Sequence, residues 1–211
     1  MRAARRSLPR PPDPFTPAVS VLRAGTRLYR VHDNAFTVAQ FNPGVGGPSR
    51  FAFFGDPVVP VLYTAMSEEA AVAETLLRDV PATGGVLSHD DYARRVMGRL
   101  TVQRDLRLAA LHGLGLRRLG VTDTDVVDVH GPGVYAQTVH WARAAHAAGY
   151  DGLEWMSSRC NNTQAQVIFG DRAGDALAQD PTYGRVLAAG TDFDWLVDLC
   201  APLRVDVMPP S

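Results

Sequence analysis

Glu74 is the side chain whose position most suggests chemistry. It lies in a predicted helix that begins at Ser67, a favourable N-cap residue. At roughly 100° per residue, this helix has an apolar stripe and a mostly polar stripe, and Glu74 belongs to neither. A carboxylate at the flank of an apolar face is partly desolvated, which is costly unless a cation or hydrogen bonds compensate. Glu74 is therefore either a functional carboxylate or a rim residue paired with Arg78 at i+4.

Arg30 is a second candidate, and it lies in an early strand predicted over residues 26 to 31. Alternation along this strand puts Arg30 on the same side as the apolar Leu28. Such an arginine needs a counter-charge or an anionic ligand, unless it reaches solvent from near the strand end. Both interpretations stay open from the strand alone.

The composition excludes several mechanisms. All 21 basic residues are arginine, so a lysine Schiff base, a Walker A lysine and a serine-lysine dyad are impossible. His140 and His146 are six residues apart and belong to no HExxH pattern, so we expect no metal site. Cys160 and Cys200 are too few for a disulfide framework and fit a reducing cytosol.

Strands and helices are predicted on both sides of these candidates. An apolar strand should run from Val58 to Tyr63 and lead into the helix of Glu74, because β-branched and aliphatic residues follow Gly55 and Pro57. Further predicted elements are strands at residues 99–102 and 106–111, a helix at 135–148, strand-like runs within 149–159 and 164–170, and a helix at 192–203.

Length and charge narrow the class of protein. A chain of 211 residues with 46% hydrophobic content can bury one sizeable core. The net charge of −1 gives no support for a nucleic-acid surface. Neither a membrane-spanning run nor an export signal is expected, so we predict a cytoplasmic location. Residues 1–18 hold four arginines and five prolines and are predicted to form a flexible basic arm before a domain at 19–211.

Four local patterns together resemble the RES domain, a family named for arginine, glutamate and serine. They are LYRVH with Arg30, FNP followed by Arg50 and Phe51, VLYTAMSEEAAVAE with Tyr63 and Glu74, and GYDGLEWMSS with Ser157. Their order and local settings match the family over roughly residues 26 to 170. The resemblance implies an α+β single domain that is similar to ADP-ribosyltransferases, with central mixed or antiparallel sheets flanked by helices.

The resemblance also implies roles for the polar residues. Glu74 and Arg30 would be catalytic, with Glu74 stabilising the positive charge that develops on the ribose as nicotinamide leaves. Arg30 would bind the NAD+ pyrophosphate, where a guanidinium suits phosphate oxygens, and Arg50 is a second candidate for that contact.

Aromatic and hydroxyl groups would orient the substrate. Tyr63 would stack on the nicotinamide or the ribose, and Tyr29 could share that task. Ser157 would hydrogen-bond the same end of NAD+, although a one-residue change of register would present Ser158 instead.

As a member of this family, the chain would be the toxin of a bacterial toxin-antitoxin pair that depletes NAD+ by hydrolysis or phosphorolysis. NAD+ would be a substrate, inorganic phosphate a possible co-substrate, and no cofactor is expected. The expected partner is a cognate helix-turn-helix antitoxin of the Xre type, with no direct binding of nucleic acid or membrane by the toxin. The alternatives are an ADP-ribosyltransferase that modifies a macromolecule and a non-catalytic binding module.

Overall fold

A computed structural model describes residues 7–129 and 132–209 of the chain. Ten strands are present among the described residues. They are β1 Ala18–Leu22, β2 Arg27–Asp33, β3 Val61–Ala65, β4 Gly85–Leu87, β5 Arg95–Val102, β6 Leu106–Leu111, β7 Gly152–Met156, β8 Gln164–Phe169, β9 Leu177–Val186 and β10 Val205–Val207.

Seven α-helices lie between these strands in the described part of the chain. They are α1 Glu68–Thr75, α2 His89–Tyr92, α3 Leu114–Arg118, α4 Asp123–Val126, α5 Pro132–Ala147, α6 Gly170–Ala173 and α7 Gly190–Cys200. A 3₁₀ turn, Ala201–Leu203, follows α7. No described helix is long and apolar enough to cross a membrane.

Eight strands form one sheet in the order β1-β6-β7-β8-β3-β2-β5-β9. Neighbouring strands are antiparallel except β6 and β7, which are parallel and are joined through α3, α4 and α5. Such a pair needs a long crossover, whereas antiparallel neighbours can be joined by shorter connections. A separate pair, β4 and β10, is parallel. The predicted α+β domain with a mostly antiparallel sheet and flanking helices is confirmed.

Apolar side chains cover both faces of the large sheet. One core includes Trp141, Trp155 and Phe169 together with the buried face of α1. The other includes Leu28, Leu62 and Ile168. Since successive strand residues point to opposite faces, alternate residues of one strand enter different cores.

The helix that carries Glu74 begins where the sequence predicts. Ser67 adopts extended backbone angles and its hydroxyl accepts a hydrogen bond from the Ala70 amide, so it is the N-cap of α1. Four consecutive residues, Ala70 to Ala73, are buried, and the helix ends at Thr75. The small alanines let α1 lie close against the sheet, which brings its last turn near β3 and β2.

Strands β2 and β3 separate soon after they meet. They share one residue pair, Tyr29 with Ala65. Beyond that pair, β2 continues against β5 from Arg27 to Asp33, while β3 continues against β8. A gap therefore opens between two neighbouring strands in the middle of the sheet.

The predictions for the N-terminal end of the chain need correction. Residues 18–22 form an edge strand on β6, so the strand predicted at 26 to 31 is the second in the sheet. Residues 7–17 have no helix or strand, yet Leu8 is buried and its amide donates to Gln137 on α5. The described part of the proline-rich segment is thus docked rather than extended into solvent. Residues 1–6 lie outside the described residues.

Candidate functional site

A cleft of about 400 Å³ lies where β2 and β3 separate. Its walls come from β2, β3, the last turn of α1 and the loop of residues 42–53. Trp155 of β7 contributes part of the apolar surface. The cleft therefore depends on elements that are far apart in the sequence.

An arginine and a glutamate form an ion pair in this cleft. Arg50 Nη1 lies 3.4 Å from Glu74 Oε2, and both side chains are largely buried. The Arg50 guanidinium also lies over the Trp155 ring, 5.6 Å from its centroid. Arg78 pairs with its neighbour Asp79, so the i+4 pairing of Glu74 with Arg78 is not the observed arrangement.

Each member of this pair keeps a buried polar atom with no protein partner. These atoms are Arg50 Nε and Glu74 Oε1. Buried polar groups are nearly always hydrogen-bonded, and leaving one unpaired costs about 1–3 kcal/mol. A donor and an acceptor that remain unpaired in a cleft are the groups a bound ligand would satisfy.

Tyr63 is fixed in the wall of the cleft through its hydroxyl. The hydroxyl lies 3.0 Å from Ser49 Oγ and accepts a hydrogen bond from the Phe51 amide at 3.1 Å. Its ring packs edge-on against Trp155. Burial raises the pKa of Tyr63, so the phenol stays protonated at neutral pH.

Arg30 also lines the cleft, but its guanidinium already has protein partners. Nη1 donates to the carbonyl oxygens of Val38 and Gln40 at 2.7 and 2.8 Å. Burial lowers the pKa of Arg30 to about 10, which still leaves it cationic at neutral pH. Arg30 thus fastens the loop that follows β2 while adding positive charge to the cleft.

Further charged groups line the cleft, and most of them are cationic. Arg78 and Arg95 contribute to the lining, and Asp33 is the other carboxylate beside Glu74. Burial lowers the pKa of His32, which also lines the cleft, so this imidazole is neutral at pH 7. Four arginines against two carboxylates favour an anionic ligand.

Comparison with protein families gives a decisive match, because the RES domain model covers residues 27–195. The chain belongs to the RES domain family. Among solved structures it is similar to a chain of the M. tuberculosis MbcT-MbcA toxin-antitoxin complex, at 17% sequence identity and a TM-score of 0.56. The match covers 87% of this RES domain chain and 91% of that chain, and at this identity it shows a shared fold. No curated protein matches the chain.

The RES domain brings four of the predicted ligand-binding residues together with Glu74. Tyr29, Arg30, Arg50 and Tyr63 all line the same cleft as Glu74. Tyr29 is held edge-on by Tyr183 at a centroid distance of 5.5 Å. Its exposed part faces the cleft, where a flat substrate ring could pack against it.

Ser157 and Ser158 lie elsewhere in the RES domain. Both line a smaller cavity of about 350 Å³ at the carboxyl ends of the parallel strands β6 and β7. Ser157 is fully buried, and its hydroxyl accepts a hydrogen bond from the Cys160 amide at 3.1 Å. The Ser157 hydroxyl is thus used to shape the turn after β7, while Trp155, two residues earlier, reaches the main cleft.

A buried polar cluster crosses the sheet of the RES domain behind the cleft. Glu154 accepts hydrogen bonds from Ser20 and from Gln166, and its other partner is His112 Nε2 at 3.1 Å. Thr64 donates to Gln166 and also lines the cleft. Burial alone would raise the pKa of Glu154, but these hydrogen bonds outweigh it and lower the pKa below its ordinary value.

Two features of the site were not predicted from the sequence. The sequence predicts that Trp155 lies in a strand-like run but indicates no role for it in the site. It also indicates no role for Thr138 of α5. Thr138 is fully buried and its hydroxyl donates to the Arg50 carbonyl oxygen. Only the alternation along β7 offered a signal for Trp155, since it shares a face with Leu153 of the same core.

Proposed function

We propose that this RES domain is an enzyme that cleaves the bond between nicotinamide and ribose in NAD+, by hydrolysis or phosphorolysis. The observation that carries the proposal is the Arg50–Glu74 pair, with an unpaired donor and an unpaired acceptor buried in one cleft. The family resemblance described above supplies the substrate. The cleft volume of about 400 Å³ lies in the range typical of small-molecule sites.

In this proposal Glu74 provides the negative charge of the site. Its Oε2 atom faces Arg50, which holds the carboxylate in place, and its Oε1 atom is buried without a protein partner and would accept a hydrogen bond from the substrate. As nicotinamide leaves, positive charge develops on the ribose, and a fixed carboxylate stabilises that charge without reorganising. Because the Glu74 side chain is largely buried, the electrostatic effect exceeds what the same carboxylate would contribute in water.

Arginines on the β2 side of the cleft would bind the pyrophosphate. Both hydrogen bonds of Arg30 to protein use Nη1, so its other guanidinium nitrogens are available for phosphate oxygens. Arg95 lies opposite Asp33 in the β2–β5 pair and adds a second cation at the entrance. Tyr29 would then pack against a ring of the dinucleotide.

We also propose that the protein acts as a toxin and that a protein antitoxin is its partner. The structural neighbour is a chain of the MbcT-MbcA toxin-antitoxin complex. The family resemblance adds that the antitoxin is a helix-turn-helix protein of the Xre type. Expression of the chain alone should stop bacterial growth and lower cellular NAD+, and co-expression of an adjacent helix-turn-helix gene should prevent both effects.

The enzymatic proposal is tested with purified protein and NAD+, with and without inorganic phosphate. Nicotinamide should be released, and Glu74→Gln should lower the rate by at least about a hundredfold, because it keeps the shape of the side chain and removes the charge. Glu69→Gln, on the exposed side of the same helix, is the matched control and should behave as wild type. Intact NAD+ under both conditions would exclude the proposed reaction.

The same assay separates the possible acceptors. Free ADP-ribose indicates that water is the acceptor, and a phosphorylated ADP-ribose indicates phosphate. With labelled NAD+, label that stays on a protein or nucleic acid would instead identify an ADP-ribosyltransferase.

A further inference from the structure

We propose that Tyr63 and Thr138 are positioning residues that hold Arg50 against Glu74, so that the hydroxyl of Tyr63 matters more than the stacking surface of its ring. This inference rests on the proposed NAD+ cleavage for its kinetic test, and on geometry alone for its structural test. It assigns a role to Thr138 and a different role to Tyr63 from the one implied by the family resemblance.

The backbone that carries Arg50 has no helix or strand of its own to fix it. A short bridge joins Ser49 to Ala52 through hydrogen bonds of 3.2 Å, but this bridge connects the loop only to itself. The residues just before it, 43–48, are exposed and rich in glycine and proline. The position of Arg50 relative to α1 must therefore be set by contacts with other elements.

Tyr63 supplies one such contact from β3. Its hydroxyl contacts Ser49 Oγ on one side of Arg50 and the Phe51 amide on the other. Since β3 leads directly into α1, the strand that holds this loop also fixes the start of the helix that carries Glu74. The same strand therefore fixes the positions of both Arg50 and Glu74.

Thr138 supplies the second contact from α5. Its hydroxyl donates to the carbonyl oxygen of Arg50 itself and lies 3.3 Å from the carbonyl oxygen of Tyr135. Thr138 is fully buried, so water cannot replace it easily. The peptide of Arg50 is therefore held on both sides by groups from β3 and α5, which are far apart in sequence.

The ion pair is sensitive to small movements of this peptide. The distance from Arg50 Nη1 to Glu74 Oε2 is 3.4 Å, near the outer limit for a hydrogen bond. Arg50 Nε has no protein partner, so among the described contacts Glu74 and the Trp155 ring are the groups that orient the guanidinium. A displacement of about 1 Å at such a site can lower a rate by on the order of a hundredfold.

Substitutions that remove one hydroxyl test the proposal. Tyr63→Phe keeps the ring and Thr138→Val keeps the volume, and each should lower kcat/KM for NAD+ by about ten- to a hundredfold. Thr138→Ser should recover most of the activity that Thr138→Val loses, because it restores the donor. Tyr92→Phe is the matched control: Tyr92 is also buried, but its hydroxyl donates to the Met208 carbonyl, away from the cleft. It should leave kcat/KM unchanged.

A double-mutant cycle shows whether Tyr63 acts through Arg50. In an Arg50→Ala background, Tyr63→Phe should cause little further loss, since the group it positions is absent. An equal loss in both backgrounds would overturn the proposal, and so would full activity of Tyr63→Phe, which is the outcome expected if the ring only stacks on the substrate.

Crystal structures of the wild type and Tyr63→Phe provide a readout that does not depend on the reaction. The Arg50 guanidinium should move away from Glu74 or take up several positions in Tyr63→Phe. An unchanged Arg50 would overturn the positioning role even if the wild-type protein cleaved NAD+. A displaced Arg50 in a protein without activity on NAD+ would support the positioning role while excluding the proposed reaction.

Discussion

Replacing Arg30 with alanine should destabilise the protein as well as weaken its activity. The side chain donates from one nitrogen to two carbonyl oxygens, those of Val38 and Gln40, at 2.7 and 2.8 Å. Hydrogen bonds from a charged donor contribute about 1.5–3 kcal/mol each, so the two together supply roughly 3–6 kcal/mol. Arg30→Ala removes both hydrogen bonds, so the loop after β2 loses its contacts with the side chain of Arg30.

The cost of burying the guanidinium reduces this gain. Burial lowers the pKa of Arg30 from 12.5 to about 10, which corresponds to roughly 3 kcal/mol against the charged form. The difference leaves Arg30 with a net stabilisation of about 0–3 kcal/mol, with a midpoint near 1.5 kcal/mol. For a chain of this size, a loss of about 1.5 kcal/mol should lower the melting temperature by roughly 3–6 °C.

The measurement is thermal unfolding of Arg30→Ala beside Arg27→Ala. Arg27 lies on the same strand with an exposed side chain, so its removal should change the melting temperature by less than about 2 °C. If Arg30→Ala melts like Arg27→Ala and only loses NAD+ binding, then Arg30 is a ligand contact alone and the structural role derived above is wrong.

Two further substitutions and one deletion follow from contacts outside the Arg50–Glu74 pair. Glu154→Gln should lower the free energy of unfolding by about 1–3 kcal/mol at pH 7, because an amide NH2 then faces groups that donate to the carboxylate. The folded pKa of Glu154 is below its ordinary value of 4.5. The difference in unfolding free energy between wild type and Glu154→Gln should therefore be complete above pH 4.5 and should shrink as the pH falls below 4.5. A constant difference down to pH 2 in urea unfolding would refute it. Arg185→Ala should cost about 1–2 kcal/mol, since Arg185 joins Glu68 at the start of α1 to α7 in partly exposed pairs. An unchanged denaturation midpoint would refute that. Deleting residues 1–17 should uncover Trp141, whose indole donates to the Pro9 carbonyl, and shift tryptophan fluorescence to the red. An unshifted spectrum would show that residues 7–17 are not docked in solution.

The local structure around Glu74 was predictable because its causes are local. An N-cap serine, acidic residues in the first turn and small apolar residues specify α1 within ten residues of Glu74. Strand β6 was predicted at its observed bounds for a similar reason. In contrast, β9 was missed, since half of its residues are exposed and its pairing with β5 is set by tertiary contacts.

The distribution of roles among the arginines was not predictable from periodicity. Alternation in β2 predicts that Arg30 shares a face with Leu28, and Leu28 does lie in the second core. The same alternation does not predict that the carbonyl groups of Val38 and Gln40 accept hydrogen bonds from the Arg30 guanidinium. The position of Ser157 outside the main cleft was not predictable for a related reason. Its hydroxyl accepts a hydrogen bond from within its own turn, and no strand pattern predicts such a contact.

The separation of β2 from β3 explains why the cation beside Glu74 comes from an irregular loop. Those strands share one residue pair, so Arg30, one residue beyond it, follows β5 away from β3. The position that a regular β2–β3 pairing would have filled is taken instead by the loop around Arg50, which is held by a hydroxyl from β3 and another from α5. The sequence patterns of β3 and α1 alone would therefore position Glu74 but not Arg50, the cation that pairs with it. The site requires the separated strands and the anchored loop together.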